Sequence, residues 1–295
     1  MSAQENMSEA VTAEALLRAT PLPALEARIL LMHVLGWRRT ELITRGDEAL
    51  DAARADAYRA LEARRVRGEP IAQLVGAREF YGLDFDVTPD VLIPRPDTEV
   101  LVETALAALE GIAQPRVLDL GTGSGAIAVA LASARPDAHV WAVDRSVAAL
   151  DVAARNAEKL LDVQRPGGPL AFVAGSWYDT LDAALRFEAI VSNPPYIASG
   201  DPHLEQGDLR FEPRGALTDE ADGLTALRAI VAGAPARLAP GGVLWMEHGY
   251  DQAAAVRALL EDAGFKDVRS ERDLAGIERI SGGCLPQPGG QQRSR

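Results

Sequence analysis

From Pro115 onward the chain repeats one pattern: a short apolar run, a turn, then a longer helical stretch. RVLDL (116–120), HVWAV (139–143), LAFVA (170–174), FEAIVS (187–192), GVLWME (242–247) and KDVRS (266–270) have the length and composition of buried strands. Segments 126–134, 147–161, 224–238 and 253–263 between and after them are read as helices. Strands that alternate with helices need crossover connections, so the strands run parallel and helices cover both faces of the sheet. That excludes an all-β sandwich or a helical bundle and predicts a doubly wound α/β domain. Sheets of this kind bind ligands past the carboxyl ends of their strands, where the strand order reverses.

The residues with chemistry fall at those ends. After the first strand comes Gly121-Thr122-Gly123-Ser124-Gly125. Glycines here let the backbone turn sharply and approach a ligand, and the helix that follows offers free N–H groups to an anion. Asp144 ends the second strand, where a carboxylate can hold ribose hydroxyls. Trp177 follows the third strand and can pack on a flat base; a half-buried core aromatic is the plainer reading. By glycine spacing alone, the loop also satisfies the relaxed dinucleotide fingerprint.

The fourth strand separates these readings. FEAIVS runs into Asn193-Pro194-Pro195-Tyr196. The prolines stop the strand and push Asn193 to an extended backbone, making a stiff corner. The corner offers the Asn193 Oδ1 and the Pro194 carbonyl as two acceptors, and the Tyr196 ring as a flat surface. Two acceptors suit a planar NH2 group and the positive charge that develops when its nitrogen is alkylated. A plain turn with a buried tyrosine is the structural alternative. Hydride transfer has no use for two NH2 acceptors, whereas a methyl donor carrying a ribose and an amino-acid tail accounts for both halves. The expected cofactor is therefore S-adenosylmethionine, with no metal.

The remaining sequence bounds the context. Lys and Arg number 30 against 43 Asp and Glu, a formal charge of -13, which disfavours a nucleic-acid-coating protein. One cysteine, Cys284, excludes an internal disulfide and a cysteine metal cluster. The four histidines are scattered, and a structural role is expected for each. The N-terminus has no secretory pattern and no apolar run is long enough to span a bilayer, so the expectation is a cytoplasmic protein. Residues 1–75 are expected to form a small helical domain, with Leu25, Ile29, Met32 and Leu35 on one helix face and Asp51 starting another helix. Arg59, Arg64, Arg65 and Arg67 are expected to form a solvated face at that helix's end. A hairpin and linker are expected over 76–96, and a catalytic domain over 97–283. Asp97 and Glu99 in PRPDTE make a well-capped helix start. The tail, 284–295, is expected to be disordered and contains Gly289-Gly290-Gln291.

With these residues assembled, the chain resembles the protein-(glutamine-N5) methyltransferases that modify peptide chain release factors, the PrmC/HemK family. The resemblance runs from about Arg78 to Ile280. It rests on IPRPDTE (93–99), DLGTGSGAIA (119–128), AVDRS (142–146), SNPPYI (192–197) and HLEQGDLRFEPRGAL (203–217). The last block discriminates best, because other NPPY methyltransferases lack it. The resemblance implies a Rossmann-like class I S-adenosylmethionine-dependent methyltransferase sheet of seven strands, the last antiparallel, with a small N-terminal all-helical domain joined by a β-hairpin. It implies cofactor contacts at Gly121, Thr122, Gly123, Ser124, Gly125, Asp144, Trp177 and Asn193. Asn193, Pro194, Pro195 and Tyr196 would hold the glutamine of a Gly-Gly-Gln motif in class I release factors, with Asn193, Pro194 and Tyr196 acting in catalysis. The implied enzyme is a monomer that associates with neither membrane nor, stably, nucleic acid. Members carry an acidic residue immediately before the tryptophan; here that residue is Ser176. Two rivals stand beside this reading. One is an adenine-N6 or cytosine-N4 DNA methyltransferase, which the acidic charge and the lack of a basic recognition domain disfavour. The other is a non-catalytic S-adenosylmethionine-binding protein, which the intact motifs disfavour.

Overall fold

The computed structural model describes residues 11–287. The chain divides between Gly76 and Ala77 into two compact units.

The first unit is helical: α1 (Ala13–Ala19), α2 (Ala24–Leu35), α3 (Arg39–Thr44), α4 (Ala52–Val66) and α5 (Ile71–Val75). Thr12 and Asp51 cap α1 and α4, their side chains accepting from Ala15 N and Arg54 N. Gly36 ends α2 in the left-handed conformation, which a side chain would strain. Leu16, Leu30, Leu31, Leu42, Tyr58 and Leu74 meet in its core. Two expectations change here. The buried face of α2 is Ala27, Leu30, Leu31 and Leu35, whereas Leu25 is 68% exposed. ALEARILLMHVL is apolar at so many positions that periodicity leaves the helix's rotation open. The arginine cluster is not simply solvated. Arg65 donates to both oxygens of Glu26 at 2.7 and 2.9 Å, Arg64 pairs with Glu69, and Arg59 with Asp56.

The second unit opens with a hairpin, β1 (Ala77–Phe80) and β2 (Leu83–Asp86), turned by Tyr81 and Gly82, both at positive φ. That is the two-residue turn whose twist matches paired strands. Phe80 and Phe85 pack edge to face behind it, their centroids 6.0 Å apart. A short 3-10 turn, Pro96–Thr98, leads into α6 (Glu99–Ala108).

The main sheet has seven strands: β3 (Arg116–Leu120), β4 (His139–Asp144), β5 (Ala171–Ala174), β6 (Phe187–Ser192), β7 (Leu238–Glu247), β8 (Lys266–Arg272) and β9 (Glu278–Cys284). Their order is β5-β4-β3-β6-β7-β9-β8, with β3 to β7 parallel and β9 antiparallel to both neighbours. The order reverses between β3 and β6, so the crevice lies at their carboxyl ends. The helices are α7 (Ala126–Ala134), α8 (Val147–Leu160), α9 (Arg214–Leu217), α10 (Thr225–Gly233) and α11 (Ala253–Asp262).

Side-chain alternation sorts the strands into two cores. Val117, Val140, Ala189, Val191 and Trp245 join the core beneath α6 and α7. Leu118, Val143, Ile190, Leu244 and Met246 face the opposite core with Leu227, Ile230 and Val256. Glu247 shares the parity of Trp245, and Asp119 that of Val117, which puts both carboxyls on the α6 side.

Strand β9 is the element the residue pattern does not reveal. ERISGGC carries two glycines and a serine, the composition of a turn. Gly282 is there because a Cβ would come within 2.3 Å of the Trp245 ring. The sheet also continues past Gly283. Cys284 ends β9, and Leu285 exchanges backbone bonds of 2.8 and 2.9 Å with Gly242 and Gly241, so these two residues are part of the sheet. Gly289-Gly290-Gln291 lies outside the described residues.

Candidate active site

A pocket of about 250 Å3 opens at the carboxyl ends of β3, β4 and β6. Gly121, Gly123 and Gly125 all have positive φ, at 73°, 55° and 82°, so the loop's path depends on glycine. At Gly121 a Cβ would meet Trp177 Cζ3 at 3.7 Å, an ordinary contact, so the positive φ and not the ring requires glycine there. Gly125 is not a wall of the pocket. Its bare Cα admits α8, since a Cβ would stand 3.0 Å from that of Ala153. Gly121, Thr122, Gly123 and Ser124 are walls, as are Asp144 and Trp177. Asn156, fully buried on α8, donates to Ser124 O and Asp86 O and accepts from Asp86 N, tying the loop to the hairpin.

Two acids brace this loop. Asp144 accepts from Gly123 N and Ser146 N, each at 2.9 Å, one per oxygen. Each oxygen keeps a lone pair for a hydroxyl donor. Asp119 lies beneath the loop, fully buried, and accepts from the Thr122 hydroxyl at 2.6 Å. Burial pushes its carboxyl up to about 7, partly offset by the Thr122 hydroxyl. Trp177 has φ of 51°, a strained value for an aromatic residue, and the next residue anchors the turn: the Tyr178 hydroxyl donates to Ile230 O at 2.8 Å. Ser176 is exposed and lines the pocket beside Trp177.

Asn193 and Pro195 are walls of the pocket at the end of β6. The corner is pinned from below by Ser192, whose hydroxyl donates to Leu120 O at 2.6 Å. Asn193 Nδ2 donates to Thr98 Oγ1 at 3.2 Å, and Thr98 donates in turn to Glu247 Oε2 at 2.6 Å. Tyr196 donates its hydroxyl to Glu247 Oε1 at 3.0 Å, and its ring packs against the second core. Tyr196 and the buried Pro194 are not walls of the pocket, so the tyrosine ring braces the corner from within. Burial pushes the Glu247 carboxyl upward, and the hydroxyls of Thr98 and Tyr196 pull it back. Burial likewise raises Tyr196, which stays a neutral donor.

Several walls were not singled out from the sequence. Arg95 lines the pocket and pairs with the buried carboxylate of Glu212, whose other oxygen accepts from Ile93 N at 2.9 Å. Arg145 donates to Gly215 O at 3.0 Å. These bonds hold the segment HLEQGDLRFEPRGAL so that Pro213, Gly215 and Ala216 form one wall. PRPDTE does start the helix, with Pro96 opening the turn and Asp97 and Glu99 in the first turns, but no side chain caps it: Thr98 turns inward to Asn193 and Glu247. Glu99 caps nothing; it accepts from Tyr81 N and ties α6 to the hairpin. Among the described residues no group of three or more His, Cys, Asp or Glu could hold a metal ion. His248 is buried between Gly249 O and Ser281 Oγ, a structural placement.

A sheet of this order, with a glycine loop after its central strand and an acid ending the next, is that of the class I S-adenosylmethionine-dependent methyltransferases. A 16S rRNA methyltransferase from T. thermophilus, solved with AdoMet and guanosine, shares the fold, with a TM-score of 0.51 and 24% identity over 71% of this chain and 49% of that one. The PrmC N-terminal domain family matches residues 11–76, and the methyltransferase small domain family matches 96–207. A release factor glutamine methyltransferase from Burkholderia pseudomallei (strain K96243) is 72% identical, covering 93% of this chain and 96% of that protein. One from Bordetella pertussis (strain Tohama I / ATCC BAA-589 / NCTC 13251) is 61% identical, covering 90% and 96%. The chain belongs to the release factor glutamine methyltransferase family.

Proposed function

We propose that this chain transfers a methyl group from S-adenosylmethionine to the side-chain amide nitrogen of the glutamine in the Gly-Gly-Gln motif of class I release factors. The observation that carries the reading is the Asn193 corner. With Nδ2 committed to Thr98, Asn193 has its Oδ1 left as an acceptor at the pocket. The pocket's chemistry fits the cofactor. Asp144 keeps lone pairs for the ribose hydroxyls, the loop around Gly121 and Gly123 offers bare backbone to the amino-acid tail, and Trp177 gives a flat wall for the adenine. S-adenosylmethionine, when bound, supplies an electrophilic methyl group.

The protein's residues do the positioning. Asn193 Oδ1, at the pocket wall, accepts one N–H of the glutamine amide, the Pro194 carbonyl, just behind that wall, accepts the other, and Pro195 walls the approach. Tyr196 acts through the corner it braces. An amide nitrogen is a weak nucleophile because its lone pair is shared with the carbonyl. Two acceptors polarise it and favour the charge that grows on it. The nitrogen becomes acidic once alkylated and loses its proton to water. Within this reading the enzyme uses no metal and acts as a cytoplasmic monomer, without membrane or stable nucleic-acid association.

The test is incubation with methyl-labelled S-adenosylmethionine and either purified release factor or duplex DNA. Label on the release-factor glutamine is expected. Label on DNA alone would select the nucleic-acid reading, and cofactor binding without transfer to either would select a non-catalytic binder.

A further inference from the structure

An asparagine side chain is nearly symmetrical in shape, so the corner could hold Asn193 with either its oxygen or its NH2 toward the pocket. Only the oxygen accepts a substrate NH2; the reverse orientation would present a donor and favour a carboxylate. The surroundings of Asn193 decide between the two. Glu247 is 2% exposed and sits at the end of β7 beside the corner, because Met246 pairs with Ser192 across the sheet. Both of its carboxyl oxygens face hydroxyl donors. Tyr196 occupies Oε1 at 3.0 Å and Thr98 occupies Oε2 at 2.6 Å. Thr98 has one hydroxyl hydrogen, and the short contact to Glu247 Oε2 takes it. What Thr98 shows to Asn193 is a lone pair, which only Nδ2 can satisfy, at 3.2 Å.

We propose that Glu247, acting through Thr98, fixes the polarity of the Asn193 amide and so makes the pocket select a glutamine NH2 over a glutamate carboxylate. Glu247 is a positioning residue, separated from the substrate by Thr98 and Asn193. Glu247→Gln keeps the shape but brings an NH2 that can donate to Thr98. The threonine hydrogen is then free to turn toward Asn193, and the amide can flip. Thr98→Val removes the relay while keeping the volume, and Thr98→Ser keeps the hydroxyl.

The inference rests on the proposed methyl transfer, so native turnover on release factor is measured first. Two further readouts follow for the native protein and the three variants: cofactor dissociation constants, and binding of release factor carrying either Gln or Glu in its Gly-Gly-Gln motif. Glu247→Gln and Thr98→Val are expected to lose at least about tenfold in kcat and about tenfold in the Gln-over-Glu binding preference, as for loss of an oriented polar group. Cofactor affinity and the release-factor KM are expected to stay within about threefold, since Thr98→Val keeps the volume of the wall that Thr98 forms and Glu247 does not line the pocket. Thr98→Ser should restore most of what Thr98→Val loses, and the Thr98 pair decides the matter if Glu247→Gln folds poorly. Unchanged kcat and unchanged preference in folded Glu247→Gln and Thr98→Val, beside an active native enzyme, would overturn the inference alone. An inactive native enzyme would sink the functional reading and this inference with it.

Discussion

Asn193 contributes one atom to the proposed reaction, Oδ1, and its other polar atom is used to aim it. Asn193→Ala should therefore lower kcat by about 100-fold or more, the usual loss when an oriented polar group at a reacting centre is removed. The fold should survive, because the side chain is only half-buried and Ser192 still anchors the corner to Leu120. Methylation at near the native rate by a folded Asn193→Ala protein would remove Asn193 from the mechanism. A second residue-scale effect is on stability. Asp119 titrates near 7 in the fold, against an ordinary value of 3.8, because it is desolvated beneath the glycine loop. Between those values the native state holds more protons than the unfolded chain, so this group's contribution to stability falls as pH rises through the window and levels off above it. Asp119→Asn cannot ionise. Its melting temperature relative to native should rise steadily from about pH 4 to about pH 7 and then stay flat, following the proton linkage. Calorimetry at unit steps of pH measures this; a difference independent of pH would mean that Asp119 titrates normally.

At the scale of elements, the segment from Pro202 to Leu217 has little apolar content of its own and is placed by bonds to other parts of the second unit. Glu212 supplies two of them, to Arg95 and to Ile93 N. Burial pushes its carboxyl above the ordinary range, and the Arg95 guanidinium draws it back. Glu212→Ala leaves a buried N–H and a half-buried guanidinium without their partner, a cost on the order of 3–5 kcal/mol. Faster protease cleavage between Ser199 and Leu217 is expected, with weaker cofactor binding because Pro213, Gly215 and Ala216 form a pocket wall. Native-like protease resistance in Glu212→Ala would show that other contacts hold the segment. The same segment shows where sequence reading stops. Strands β3, β4 and β6 are legible because each is an apolar run ending in a glycine, an acid or a proline pair. Gly121, Asp144 and Asn193 are legible with them, since a parallel sheet collects such ends in one place. In the sequence Glu247 is only the last letter of an apolar strand, and its parity with Trp245 alone hints that it turns inward. Thr98 was hidden by a helix-start pattern that explains it without any site. Strand β9 was hidden because Gly282 serves the Trp245 ring, and that contact is not local in sequence.

At the scale of the whole chain, a division of labour between the two units is expected and can be tested by separating them. Every wall of the pocket lies between Phe80 and Ala216, within the second unit. That unit also contains both sheet cores, and the core formed by Leu30, Leu31 and Tyr58 belongs to the first unit. Among the described residues the first unit carries none of the candidate site, yet it has its own capped helices and a family of its own at residues 11–76. Its expected task is to grip the body of the release factor while the second unit handles the glutamine. A chain beginning at Ala77 should fold and bind S-adenosylmethionine within about threefold of the full chain, since all the contacts of that site are retained. On intact release factor its kcat/KM should fall at least about tenfold, through loss of binding energy remote from the reacting atoms. On a short Gly-Gly-Gln peptide, too small to reach a second surface, the two proteins should perform alike. The peptide arm separates recognition from damage: a shortened chain that fails on both substrates has lost its pocket, whereas one that methylates intact release factor as well as the full chain does leaves the helical unit without a role in recognition.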